Sequence, residues 1–107
     1  MLRCYQDAVA MCRDAARVAR VVEKFDSDLA RQLRRAATSV VLNLGEGDGT
    51  TAGHRRQRYL TAMGSAREVV ACFDAAQAME YVPAVGNDVR RRLDIIIGTL
   101  VRVVRPR

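Results

Sequence analysis

Positive charge is the chemistry this chain carries in quantity. Lys and Arg number 18 against 12 Asp and Glu, a formal net charge of +6 over 107 residues. Lys24 is the only lysine. An arginine fork grips a phosphate bidentately, although a GC-rich genome also writes Arg for Lys, so the preference alone decides nothing. The placement says more. His54, Arg55, Arg56 and Arg58 form one cluster, Arg90, Arg91 and Arg92 a second, and Arg102 and Arg105 close the chain with Arg107. The first cluster falls in the opening turns of a predicted helix. Cations there oppose the helix dipole by a few tenths of a kcal/mol, and a docked anion would reverse that sign. Aromatic residues make up only 5% of the chain, and no zinc finger, RNP-type motif or helix-turn-helix accompanies the arginines. Contacts to nucleic acid are therefore expected to run through phosphates, to be salt-sensitive and to read bases poorly.

Other chemistries find little support. His54 is the only histidine, and HExxH, H-x-x-x-H and G-x-S-x-G are all absent. Glu46 and Asp48 lie in a glycine-rich stretch, a poor scaffold for two carboxylates in fixed geometry. The chain is thus expected to be non-catalytic. Cys4, Cys12 and Cys72 are odd in number and lack CxxC spacing, which argues against a disulfide framework and a zinc site. They read as inert core or interface thiols. No metal and no cofactor are expected. Gly45, Gly47 and Gly49 could in principle cradle a phosphate, but no strand precedes them, no Walker lysine follows, and Glu46 and Asp48 would repel an anion. They read instead as a helix stop.

The elements that must hold these residues are helices. With 50% apolar and 28% charged residues the chain is globular, and its length suits one domain, residues 1–107. Cys4, Ala8, Met11, Ala15, Val18 and Val22 repeat at spacings of four and three, with Asp14 among the residues assigned to the outer face. This predicts a helix over about 2–24. Asp26 or Ser27 then caps a second, about 28–46, carrying Leu29, Leu33, Ala36, Val40 and Asn43. Asn43 places an amide on the apolar seam, where it needs a hydrogen-bond partner. A third helix, about 52–81 with Thr51 as cap, shows Leu60, Met63, Val70 and Phe73 as its main stripe, extended by Tyr59, Ala62, Ala66, Val69 and Ala76. Gly64 suggests a tight crossing, and Glu68 is expected to pair with Arg34 or Arg35. Pro83 fits the first turn of a fourth helix, about 84–104.

Short links make the fold an all-α, antiparallel, up-down-up-down four-helix bundle. The first and third clusters, with Arg3, then share one end. The second shares the other end with Arg31, Arg34 and Arg35. The fourth helix looks apolar nearly all round, through Val89, Leu93, Ile96, Leu100 and Val103 on one row and Ile97, Val101 and Val104 on another, with Ile95 facing a third way. That points to an oligomer interface formed by Ile95, Ile97, Val101 and Val104. No apolar run approaches the roughly 18 residues of a membrane span, and the first residues lack the apolar core of a signal peptide. A cytoplasmic location is expected.

The segment Gln32-Leu33-Arg34-Arg35-Ala36-Ala37, Ser39-Val40, Asn43-Leu44-Gly45-Glu46-Gly47, followed by Ala62-Met63-Gly64-Ser65 and Glu68, resembles a known pattern. It is similar to the QxRRAxxSIxxNIAEG and A-x-GS-x-x-E segments of a four-helix bundle family. That family includes proteins encoded within intervening sequences of bacterial 23S rRNA genes. The resemblance implies a left-handed bundle assembled as a homopentameric ring, with Arg35, Asn43, Glu46 and Glu68 as structural polar residues. Related accessory proteins of diversity-generating retroelements form similar basic barrels that bind nucleic acid and a reverse transcriptase. The resemblance thus also admits a second role, as an interaction module for a reverse transcriptase or other polymerase. Gly45 departs from the usual alanine, which should loosen the end of the second helix. Arg replaces the commoner Lys in the loop that follows.

Overall fold

The computed structural model describes residues 2–106, so Arg107 lies outside the described residues. Four helices follow in order: α1 (Tyr5–Val22), α2 (Ser27–Asp48), α3 (Ala52–Ala78) and α4 (Asn87–Val104). Each packs on its two neighbours in the cycle α1–α2–α3–α4–α1. Cross-helix pairs fix the directions. Glu23 meets Arg34 at one end of α1·α2 while Tyr5 faces Gly45 at the other. On α3·α4, Asp74 meets Arg90 and Arg56 meets Val104. Neighbours therefore run antiparallel, in a rod 42 × 23 × 20 Å.

One core runs along the rod. Met11, Leu33, Val40, Phe73, Leu93, Ile96 and Leu100 are fully enclosed, and alanines such as Ala8, Ala15, Ala19, Ala62 and Ala66 let the helices approach closely. Burial of this apolar surface stabilises the fold at about 25 cal/mol per Å². On α3 the enclosed residues are Tyr59, Ala62, Ala66, Val69, Cys72, Phe73 and Ala76, whereas Leu60, Met63 and Val70 are only half-buried.

The ends of the helices differ from the sequence reading, each for a local reason. Asp26 is the α2 cap, its Oδ1 accepting from the Leu29 N–H at 2.9 Å. Thr51 holds the cap position of α3 without a side-chain cap bond. Gly45 and Gly47 do not stop α2; the helix runs through both to Asp48, with Gly49 as cap at φ −102°. Gly47 serves a close approach instead. A Cβ there would lie 2.6 Å from Cε1 of the buried Tyr59 ring. Gly64 makes no crossing, since a Cβ would meet nothing within 4 Å. α3 ends earlier than expected because Glu80 turns left-handed at φ 63°. The Tyr81 N–H then bonds Ala76 O and the Glu80 N–H bonds Gln77 O, the pair of bonds that closes a Schellman motif. Pro83 consequently sits in the loop, and α4 opens after Gly86. Phe25 stacks on Tyr81 at 5.3 Å, tying the α1–α2 turn to that loop.

α4 is one-sided rather than apolar all round. It encloses Leu93, Ile96, Leu100 and Val104, half-buries Val89, Ile97 and Val101, and leaves Ile95 and Val103 each 43% exposed. Val104 belongs to the chain's own core, at 7% exposure, and Val103 takes its place on the outside. Asp14 is the converse correction. Assigned to the outer face by its charge, it is only 3% exposed and lies between α1 and α4. It accepts from Arg17 of its own helix and from Arg92 of α4 at 3.2 Å. No helix among the described residues is long and apolar enough to cross a membrane.

Candidate nucleic-acid interface

The antiparallel packing brings the α3 N-terminus beside the C-termini of α2 and α4, and this explains its unusual charge. Arg55 donates through Nε to Gly47 O at 3.3 Å and through Nη2 to Thr50 O at 3.2 Å. Arg56 donates through Nε to Val104 O at 3.1 Å. These carbonyls include the orphans left at helix ends, where the dipole favours a cation. Two arginines misplaced on their own helix are thus correctly placed on the neighbouring ones. Arg58 pairs with Glu46 at 3.0 Å and reaches Asn43 Oδ1 at 3.5 Å. His54 is exposed and lines a cleft of about 700 Å³ with Gly49, Gln57, Arg58 and Thr61.

From Arg58 a polar track crosses the α2·α3 seam. Asn43 Nδ2 donates to Ser39 O at 2.9 Å and to Ser39 Oγ at 3.1 Å, and Ser39 Oγ meets Ser65 Oγ at 2.8 Å. The seam amide therefore has the partners its burial requires, and Ser39, Asn43, Glu46 and Ser65 of the recognised pattern tie α2 to α3. Glu68 does not pair as expected. It is exposed and makes no ion pair among the described residues, because Arg34 turns to Glu23 of α1 at 2.6 Å. Arg35 lines a shallow cleft with Glu68, Gln32, Ser39 and Ser65, also without an ion pair.

At the opposite end, Arg90 is committed to the fold. It pairs with Asp74 at 2.8 Å, donates to Gln77 Oε1 and lies 5.8 Å over the Phe73 ring. Gln77 Oε1 also accepts from the Val85 N–H at 3.1 Å, so Arg90 anchors the α3–α4 loop. Arg92 is held by Asp14. Arg91, Arg102 and Arg105 are exposed and have no side-chain partner among the described residues. The same holds for Arg13, Arg20, Lys24 and Arg67. Sequence reasoning missed Arg13, Arg20 and Lys24, because an acid assigned beside them masked the sign of that face.

Cys4 and Cys72 are buried, and desolvation pushes both thiols above their ordinary range, as it does the Tyr59 phenol. Among the described residues no group of three His, Cys, Asp or Glu could hold a metal ion.

The chain belongs to the family described as 23S rRNA-intervening sequence protein, whose pattern matches residues 1–101. Its fold is similar to the crystal structure of a protein of unknown function from the S23 ribosomal protein family of Bacteroides thetaiotaomicron. The TM-score is 0.87 at 12% identity, over 96% of this chain and 99% of that one. No curated protein matches the sequence.

Proposed function

We propose that this protein is a non-catalytic, basic, oligomeric bundle that binds RNA or DNA through phosphate contacts. The supporting observation is the set of uncommitted cations. After Arg34, Arg55, Arg56, Arg58, Arg90 and Arg92 have been taken up by carboxylates and helix-end carbonyls, Arg13, Arg20, Lys24, Arg67, Arg91, Arg102 and Arg105 still stand exposed without a partner among the described residues. The first cluster thus contributes mainly His54 and the unused donors of its arginines. A homopentameric ring would use Ile95 and Val103, with Ile97 and Val101 beside them, as its buried contact. Filter binding at low salt tests the first part, and light scattering the second. Absence of any bound nucleic acid, or a monomer mass, removes the corresponding part.

A second reading, a protein-interaction module for a polymerase or reverse transcriptase, draws on other residues. Leu42 is 56% exposed on α2, in a groove with Arg34, Arg35 and Thr38. Leu42→Glu, sparing nucleic-acid binding and abolishing a polymerase pull-down, would favour it.

A further inference from the structure

The burial of Asp14 changes what α1 shows to solvent. Arg13, Arg17 and Arg20 of α1 and Lys24 in the turn just past its C-cap follow one another at spacings of four, three and four, and all are exposed. At 100° per residue they lie within an arc of about 60°, directly opposite the buried row Ala8, Met11, Ala15, Ala19 and Val22. The acids of α1 and its C-cap lie off this arc, Asp7 and Asp14 to one side and Glu23 to the other. Asp14 is enclosed against α4, and Glu23 is drawn to Arg34 of α2. Arg17 spends one donor on Asp14, yet its side chain remains 61% exposed. Arg13, Arg20 and Lys24 hold no partner among the described residues.

We propose that this outer stripe of α1 is a docking surface for the sugar–phosphate backbone of double-stranded DNA. The inference rests on the nucleic-acid reading above and assigns it a surface. The four cations extend over about 16 Å along α1 and the turn that closes it, a length over which a B-form duplex presents about ten phosphates at one per 1.7 Å. Between Arg13 and Lys24 the arc carries no aromatic side chain on which an unpaired base could stack. Its guanidinium and ammonium groups only donate, so nothing on the arc accepts the 2′-hydroxyl proton that distinguishes RNA from DNA. Straight, rigid, single-sign charge suits a duplex backbone rather than single strands or RNA.

The test is a salt titration of binding to a 24-base-pair DNA duplex. It compares the unaltered chain with the triple variant Arg13→Gln, Arg20→Gln, Lys24→Gln. These side chains make no hydrogen bond or ion pair among the described residues, so the fold should be kept, with the melting temperature lower by at most a few degrees because Arg20 and Lys24 no longer face the C-terminal end of the α1 dipole. The variant should bind at least about tenfold more weakly at 100 mM salt, with a slope of log K on log salt shallower by about 3, near 0.9 for each cation. Arg13→Lys, Arg20→Lys should keep the slope. Binding by the unaltered chain with an unchanged slope in the glutamine variant overturns this assignment while leaving the nucleic-acid reading in place. Equal or tighter binding of an RNA duplex or a single strand overturns the choice of DNA duplex. Absence of binding by the unaltered chain overturns both.

Discussion

The Nε of Arg56, in the first turns of α3, donates to the carbonyl of Val104 at the end of α4, 3.1 Å away. A cation that opposes the dipole of its own helix therefore serves the dipole of the next. Charge-assisted bonds of this kind contribute about 1.5–3 kcal/mol when partly shielded. Arg56 is largely exposed, which puts its share at or below the lower figure. Arg56→Gln is expected to lower the melting temperature by several degrees, and Arg56→Lys by less. Thermal denaturation followed by circular dichroism checks both. An unchanged melting temperature in the glutamine variant would remove the capping role.

Glycines of α2 and α3 should respond in opposite directions. At Gly47 a Cβ would press into the Tyr59 ring at 2.6 Å and 3.0 Å. Overpacking of that kind costs about 1–3 kcal/mol, which outweighs the gain of about 1 kcal/mol in helix propensity. Gly47→Ala should therefore destabilise the fold. At Gly64 the added methyl meets nothing, so Gly64→Ala should stabilise an isolated chain by up to about 1 kcal/mol. Chemical denaturation of the two variants gives the signs directly.

Glu80 holds the left-handed position that ends α3. A side chain with a Cβ is strained there by about 1–2 kcal/mol, which glycine avoids. Part of that gain returns to the unfolded chain as backbone freedom. Glu80→Gly should raise the melting temperature by a few degrees. A fall would mean that the Glu80 side chain contributes something its exposed position does not suggest.

Burial raises the thiol pKa of Cys4 and Cys72 in the folded chain. A group whose folded pKa is raised contributes stability fully below its unfolded pKa and loses it as pH rises through the folded value. The thiols' contribution should therefore be constant below the ordinary thiol range, near about 8.5, and decline above it. Cys4→Ala, Cys72→Ala should flatten that alkaline limb while costing packing. In the native chain the half-exposed Cys12 should react first with an alkylating reagent.

The helices were legible in the sequence because the apolar spacing of α1 and α2 matches the residues they enclose, from Cys4 and Ala8 through Leu33 and Val40. The face of α3 was less so. Three of its seven enclosed residues are alanine, and small residues also occupy its exposed side, so type marks depth less clearly. Asp14 was misread because a carboxylate on a seam looks like a surface residue until its partner, 78 positions away in Arg92, is in view. The partners of Arg55 and Arg56 are backbone carbonyls, which leave no mark in a sequence. A dipole argument within one helix could only register the conflict. The hydrogen-bonding need of Asn43 was legible, and Ser39 answers it from the preceding turn.

The slope of log K against log salt concentration for the unaltered protein on duplex DNA tests the central claim most directly. Four cations of α1 and its closing turn set against phosphates predict a slope of about −3.6 or steeper, at roughly 0.9 per contact. Binding that does not change with salt, or no binding at 50 mM salt, would contradict it.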